Sequence, residues 1–524
     1  MSKCEKKKAC VFIGKGSYGK VYEDATNSNQ VIKKIPLENY REYGCDEKIL
    51  REISSLKLLQ HCEYIVPLKL QTFVILPRKE FEIHLTFLKY KSDLFSALQN
   101  KQIKQEDVKS IMYQILMGLY ECEQKEILHR DIKPQNIFWN NQKQVVIGDF
   151  GLARWKTTKL YQPFSNEVVT LNYRAPELLL GSSQYNTSIE VWSVGCLLYE
   201  LWVGKRLFIS GTEIGQLFDI CDLVGSDCKE ELKCLPHFTA KKLPKFEGYI
   251  QTFESKLPFY DLFLNMLKLN PSDRFTIQQC LQHNYFDSIR FQYDFNFIKA
   301  RKLSHISNLC YEKIDVDNLH RNYLLDWLFG ITILNDMIID IFFLAVHYFD
   351  ELEDLLSITF TKSRDSYLTL LCCLIIACKI LHFEIFSISQ FQNLCQHYFC
   401  SESEILKKEL FILQTLDFNL FKQTVFQDLV YLFDPSKFPK KAICMLYLLH
   451  TQKKIFEIKQ KWIHEIFQYF ANDILSPDLE SFLKDMHYKH HLIKMEFILC
   501  GRQPDVFEDF STHKRMFLTQ TFLK

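Results

Sequence analysis

Two short runs, His129-Arg130-Asp131-Ile132-Lys133-Pro134-Gln135-Asn136 and Asp149-Phe150-Gly151, hold side chains suited to one kind of chemistry. Moving a phosphoryl group takes a carboxylate beside the attacking hydroxyl, and oxygen ligands for the metal that neutralises phosphate charge. Asp131 fits the first task; Asn136 and Asp149 fit the second. A strand-like Val145-Val146-Ile147 separates the runs. Each piece alone is a weak signal, and the ordered set is a strong one.

The elements that must position them lie mostly upstream. Residues 11–23 read as strand, glycine turn and strand, and Gly14, Gly16 and Gly19 let the backbone approach phosphates closely. A lone GxGxxG would equally open a dinucleotide site. Here a second apolar strand with a lysine follows, Val31-Ile32-Lys33-Lys34-Ile35, where a dinucleotide fold would open a helix. Ile49, Ile53, Leu56 and Leu59 then recur at helical spacing. Glu52 lies beside that stripe, either paired with Lys33 or as a solvated surface glutamate; the rest of the set favours the pair. Residues 84–90 alternate like a strand leading into a hinge, with Phe87 at the back of the pocket. Helical patterns at 101–123 and 186–204 flank the chemistry, and Arg274 is placed to pair with Glu177.

Composition bounds the rest. With 64 basic and 63 acidic residues the net charge is +1, which argues against a nucleic-acid or membrane-surface binder. Lys3, Lys6, Lys7 and Lys8 form a solvated end or a weak nuclear signal. Residues 1–9 are polar where a signal peptide needs an apolar core. The most apolar run, 368–378, falls far short of the ~20 residues that cross a bilayer. The expectation is an intracellular protein, nuclear or cytoplasmic, whose 18 cysteines are reduced thiols. Cys395, His397 and Cys400 lack the second ligand pair of a zinc site, so no metal is expected there. A chain of 524 residues implies two or more domains. Fourteen of its sixteen glycines precede Cys280, and because mixed α/β domains need glycine in their turns, a boundary is expected near residue 290.

From about residue 11 to 286 these residues resemble the eukaryotic protein kinases, and within them the cyclin-dependent kinases. Gly14-Lys15-Gly16-Ser17-Tyr18-Gly19 is similar to that family's glycine loop, and Asp149-Phe150-Gly151-Leu152-Ala153-Arg154 to its metal-binding turn. Ser165-Asn166-Glu167-Val168-Val169-Thr170 resembles the activation-loop segment before Tyr173-Arg174-Ala175-Pro176-Glu177. Asp46-Glu47-Lys48-Ile49-Leu50-Arg51-Glu52 takes the place of the PSTAIRE helix, keeping only its Arg-Glu end.

The resemblance implies an α+β protein kinase fold, with a small mainly β lobe over about 1–90 and a large mainly α lobe over about 91–290, using ATP and Mg2+. Gly14, Lys15, Gly16, Ser17, Tyr18 and Gly19 would cover the phosphates, Lys33 would hold them, and Glu52 would hold Lys33. Val21, Val31 and Phe138 would sandwich the adenine, with the backbone from Leu88 to Tyr90 reading its edge. Asp131 would orient the hydroxyl, Lys133 would sit near the transferred group, and Asn136 and Asp149 would bind magnesium. Ser165 takes the position of the activating phosphothreonine, the target of an activating kinase. Arg51, Arg130 and Arg154 would converge on its phosphate. Ser17 and Tyr18 match inhibitory phosphosites. Val168, Val169 and Arg174 match a site for proline after the target residue, so protein substrates with Ser/Thr-Pro sites are implied. Asn172 stands there for a tryptophan, and Glu190 stands for an aspartate that braces the catalytic loop.

After about residue 300 the pattern is almost wholly helical, and 338–352 and 367–381 are apolar nearly all round, as central helices are. Residues 321–328, 344–350, 374–379 and 405–409 resemble helices of a cyclin box, with the marking residues Arg321, Asp326, Asp350, Leu368 and Lys379 present. An all-α cyclin-box domain over 320–420 is implied, after a linker and N-terminal helix at 291–319 and before a degenerate second cyclin-type repeat at 421–524. In that family a lysine and a glutamate grip the backbone at the start of the PSTAIRE helix. Lys379 and Glu409 hold those places; the alternative is a plain ion pair worth about 0–1 kcal/mol at an exposed site. His320, Tyr323, Leu324 and Trp327 fall on the substrate-docking patch or in the core. The residues from 287 to 319 reach roughly 110 Å when extended at about 3.3 Å each. An intramolecular kinase–cyclin contact is therefore sterically open, in cis or exchanged between two chains. The expectation is a Ser/Thr kinase switched on by its own cyclin-like half. The alternative is an interaction protein whose cyclin-like half recruits another kinase or a substrate, its own kinase weak or dependent on an external cyclin.

Overall fold

The computed structural model describes residues 11–15, 19–76, 80–140, 143–155, 169–183, 185–225, 248–253, 256–290, 319–335, 337–357, 364–381, 386–394, 400–422 and 424. They fall into two compact units. The first holds the described residues up to 40, those of 45–290, and 418–421; the second holds 41–44, 319–417, 422 and 424. Two short pieces, 41–44 and 418–421, fall in the other unit from their chain neighbours, because compactness follows packing and not chain order. The expected linker and second cyclin-type repeat lie almost wholly outside the described residues.

The first unit begins with an antiparallel sheet of β1 (Phe12–Lys15), β2 (Lys20–Glu23), β3 (Gln30–Pro36), β4 (Leu68–Ile75) and β5 (Phe81–Leu88), in the order β1-β2-β3-β5-β4. Successive strand side chains point to opposite faces, so Lys33 is buried with Ile35 while Lys34 is only half-buried. After the short α1 (Tyr40–Tyr43) comes α2 (Glu47–Leu58). Asp46 caps it by accepting from Lys48 N, satisfying one of the open amides of the first turn. Its apolar stripe Ile49, Ile53 and Leu56 is buried, and so are Arg51 and Glu52. Within this unit Ser54 Oγ donates to Phe418 O at 2.9 Å, and the rings of Trp155 and Phe421 stack at 5.4 Å.

The rest of the unit is mainly helical. Small pairings of β6 (Ser92–Asp93), β7 (Ile127–Leu128), β8 (Ile137–Trp139), β9 (Val145–Ile147) and β10 (Arg154–Trp155) carry the chemistry-bearing loops. Around them stand α3 (Leu94–Gln99), α4 (Gln105–Gln124), α5 (Pro176–Leu179), α6 (Ser188–Val203), α7 (Glu213–Val224), α8 (Tyr260–Met266), α9 (Ile277–Gln282) and α10 (Asp287–Arg290). The buried α6 ends at Gly204, whose φ of 77° suits a residue without Cβ.

The second unit holds α11 (Leu319–Leu334), α12 (Ile339–Leu356), α13 (Arg364–Leu381), α14 (Ile388–Leu394) and α15 (Glu402–Thr415). Helix α13 is buried from Ser366 through Leu381 and packs against α12 and α15, as its all-round apolar pattern requires. Leu324 is fully buried, and the half-buried Trp327 packs edge-on against Tyr367. The side chains of His320 and Tyr323 lie outside the described residues, as do Cys395 and His397. Among the described residues no group of three His, Cys, Asp or Glu is placed to hold a metal ion, and no helix is long and apolar enough to cross a membrane.

Arg274 ties α5 to the rest of the helical part. Its Nη1 and Nη2 donate to Glu177 Oε1 and Oε2 at 2.8 and 3.0 Å, with Ser188 O as a further acceptor. Both side chains are buried, so removing one leaves an uncompensated charge. Arg274→Ala is expected to cost about 3–5 kcal/mol of stability. Chemical denaturation of the full chain checks this.

Candidate active site

Three elements meet at Lys33. Its Nζ donates to Glu52 Oε1 on α2 at 2.6 Å and to Asp149 Oδ1 at 3.3 Å. Burial alone would favour the neutral amine, but the two carboxylates outweigh it and hold the ammonium above its ordinary value. Asp149 takes a left-handed backbone, φ 58° and ψ 68°, which aspartate tolerates better than most residues. Phe150 behind it is buried, edge-on to the His129 ring at 4.7 Å.

Asp131 sits at the centre of a second cluster. Its Oδ2 lies 2.7 Å from Lys133 Nζ and accepts from Asn136 Nδ2 at 2.9 Å. Its Oδ1 accepts from Thr170 N and Oγ1 at 3.2 and 2.8 Å, and the same hydroxyl accepts from Lys133 Nζ at 2.9 Å. His129 Nε2 meets Gly148 O at 2.9 Å while Nδ1 faces Asp131 N at 3.3 Å. The ring is therefore neutral with its proton on Nε2, in keeping with burial that depresses its pKa.

The expected base pocket is lined by half-buried Val21, Val31 and Phe138 and the partly exposed Leu88. Tyr90 stacks on Phe138 with ring centres 6.1 Å apart. Gly14 and Lys15 lie in β1. A Cβ on Gly19 would stand 2.5 Å from Lys34 O, so only glycine fits there. Gly16, Ser17, Tyr18, Ser165 and Val168 lie outside the described residues.

Arg51, Arg130 and Arg154 act on one another electrostatically. Burial first, and then the charges of Arg51 and Arg130, bring the Arg154 guanidinium down to about 8. Arg51 pairs with Glu47 at 3.1 Å. Arg130 donates to Leu152 O twice and to Tyr185 Oη at 2.8 Å. Arg154 Nη1 is buried with no hydrogen-bond partner among the described residues.

A family model for the protein kinase domain matches residues 8–286. The chain belongs to the protein kinase family. It is a serine/threonine protein kinase, and a model for the N-terminal domain of cyclins matches its residues 294–421. That match starts within the stretch read as linker. Over 292 residues, 53% of this chain and 81% of the relative, it is 37% identical to cell division control protein 2 homolog 2 of Trypanosoma brucei brucei.

Two substitutions noted in this kinase are resolved locally. Asn172 is not left idle: Nδ2 donates to Ser210 O at 3.2 Å, and Oδ1 accepts from Arg206 at 3.3 Å. Beside it Val169 has φ 68°, and its carbonyl accepts from Arg174 Nε and Nη2 at 3.2 and 2.9 Å. Glu190, from α6, still reaches the catalytic loop, accepting from His129 N and Arg130 N on the one oxygen Oε1. Its Oε2 is buried with no hydrogen-bond partner among the described residues. Sequence reading missed Thr170 and Tyr185, since an isolated hydroxyl carries no periodicity or spacing signal and gains its partners only from tertiary placement.

Burial pushes Glu190 up to about 7 from an ordinary 4.5. Between those values the unfolded chain is ionised there and the folded one is protonated. The stability from this group is thus fully present below 4.5 and lost as pH rises through about 7. Glu190→Gln removes the titration, so its stability relative to the parent is expected to climb between pH 5 and 8, by about 3 kcal/mol at most. Denaturation midpoints across that range check it; a difference flat with pH contradicts it.

Proposed function

We propose that this kinase is Ser/Thr-Pro directed, and that its own cyclin-type half activates it in cis together with phosphorylation of Ser165. The observation that carries the cis reading is local to the second unit. Residues 41–44, which lead into α2, belong to that unit with Lys379 and Glu409. A Cβ on Gly44 would stand 2.0 Å from Glu409 Oε2 and 2.9 Å from Lys379 Nζ. Gly44 also has φ +72°, so the backbone there is shaped for a residue without a side chain. The proposed grip on the chain entering α2 would hold Glu52 against Lys33.

The residues fit the ATP and magnesium that a protein kinase uses. Magnesium takes one or two protein carboxylates and completes its shell with phosphate and water oxygens. Asp149 and Asn136 offer that small oxygen set, and Lys33 adds a charge for the phosphates. Bound Mg2+–ATP supplies the phosphoryl group and neutralises its charge. Asp131 would orient the substrate hydroxyl and accept its proton, with Lys133 and Thr170 holding the carboxylate in place.

The proline preference rests on Val169. Its carbonyl is already taken by Arg174, so an N–H after the target residue would go unpaired, whereas proline has none to lose. The Ser165 reading rests on the three arginines: a phosphate of about −1.5 to −2 charge would relieve their mutual repulsion. Control at Ser17 and Tyr18, an activating kinase as partner, and a nuclear or cytoplasmic location belong to the same reading.

The full chain is expected to phosphorylate a Ser-Pro peptide without added cyclin, and Lys33→Ala or Asp149→Ala to abolish turnover. Removing residues 300–524, or Gly44→Ala, is expected to lower turnover by about a hundredfold, the cost of misplacing a catalytic group by an ångström. Specific activity should not change on dilution if the contact is in cis. A truncated chain as fast as the whole sinks the cis reading, and no turnover by the full chain favours the recruiting role.

A further inference from the structure

Phe138 is seated in β8 by ladders on both sides, opposite Val146 of β9 and Asp93 of β6, so its backbone has little freedom. Its ring lies over Gly148, the residue before Asp149. A Cβ at 148 would stand 2.5 Å from Phe138 Cε2 and 3.0 Å from Cδ2, with Val66 Cγ1 at 3.4 Å. Gly148 is held as firmly, since its N donates to Asn136 O at 2.8 Å and its O meets His129 Nε2 at 2.9 Å. Neither main chain can yield, so any side chain at 148 must turn the ring out of its rotamer.

We propose that Gly148 is a positioning residue for the nucleotide base, acting only through the Phe138 ring. This rests on the reading of Phe138 as the floor under the base. Leaving position 148 bare lets a wide flat ring lie where an aromatic base stacks; Tyr90 packs on the same ring, with centres 6.1 Å apart. The two positions form a matched pair: a large ring at 138 requires no Cβ at 148, and a side chain at 148 requires a smaller, more flexible residue at 138.

The test is a double-mutant cycle on the full chain, titrated with an ATP analogue carrying a fluorophore on its ribose. Gly148→Ala is expected to weaken nucleotide binding and raise KM for ATP about tenfold, with kcat nearly unchanged. Phe138→Leu alone is expected to cost about threefold, and in that background Gly148→Ala is expected to cost nothing further. Parent-like binding by Gly148→Ala overturns the proposal. An equal loss in both backgrounds, by misfolding or by a disturbed Asp149, overturns it as well. The titration needs neither phosphoryl transfer nor the cyclin-type half, so its failure is distinct from failure of cis activation.

Discussion

A buried ammonium ion sets the terms for the site. Lys33 has left water, and desolvating a charge costs several kcal/mol unless opposite charges and hydrogen bonds replace the hydration. Glu52 from the helix and Asp149 from the loop supply both, at 2.6 and 3.3 Å. Because the two carboxylates come from separate elements, neither can withdraw without stranding charge. Strand, helix and loop are therefore tied together at one side chain. The strand register sets the lysine, since a shift of one residue would turn Lys34 inward instead.

The arginine cluster shows the opposite economy. Three guanidiniums lie close enough to depress one of them, and a buried N–H of Arg154 has no partner among the described residues. Glu47 pairs with Arg51 and offsets part of this repulsion, and a cluster of like charges favours a further anion. They come from α2, from the loop before Asp131 and from the turn after Asp149, the same three regions that the lysine network and catalytic cluster organise. An anion there would act on the geometry at Lys33 with no need to touch it.

Much of this was legible in the sequence where chemistry and period coincide. Lys33, Glu52, Asp131, Asn136 and Asp149 each stand on an element whose alternation, helical stripe or loop spacing fixes the direction of the side chain, and the structure pairs Lys33 with Glu52 and Asp149, and Asp131 with Asn136. The buried helices of the second unit were legible for a similar reason, being apolar on every face. What was not legible depends on a neighbour distant in sequence. Thr170 is one hydroxyl among many until Asp131 and Lys133 close on it. Gly148 reads as a spacer before Asp149 until the Phe138 ring fills the volume a Cβ would take. Leu324 is an apolar residue on a helix that reads equally as docking surface or core; it is fully buried.

The Lys379–Glu409 pair carries an energetic argument of its own. Read as an exposed ion pair it would be worth almost nothing and would need no explanation. It is not exposed: the side chains are 4% and 1% accessible, with Nζ 2.5 Å from Oε1. A lysine and a glutamate so buried gain little over apolar residues of similar volume, so stability is a poor reason for placing them there. Position is a better one. The carboxylate rests against Gly44, where a left-handed backbone without a side chain leaves room for it. A residue with any Cβ would push that oxygen away and at the same time strain its own φ. Charge burial and backbone shape thus point to the same residue ahead of α2, Gly44, and the two effects arise independently, one from desolvation and the other from sterics.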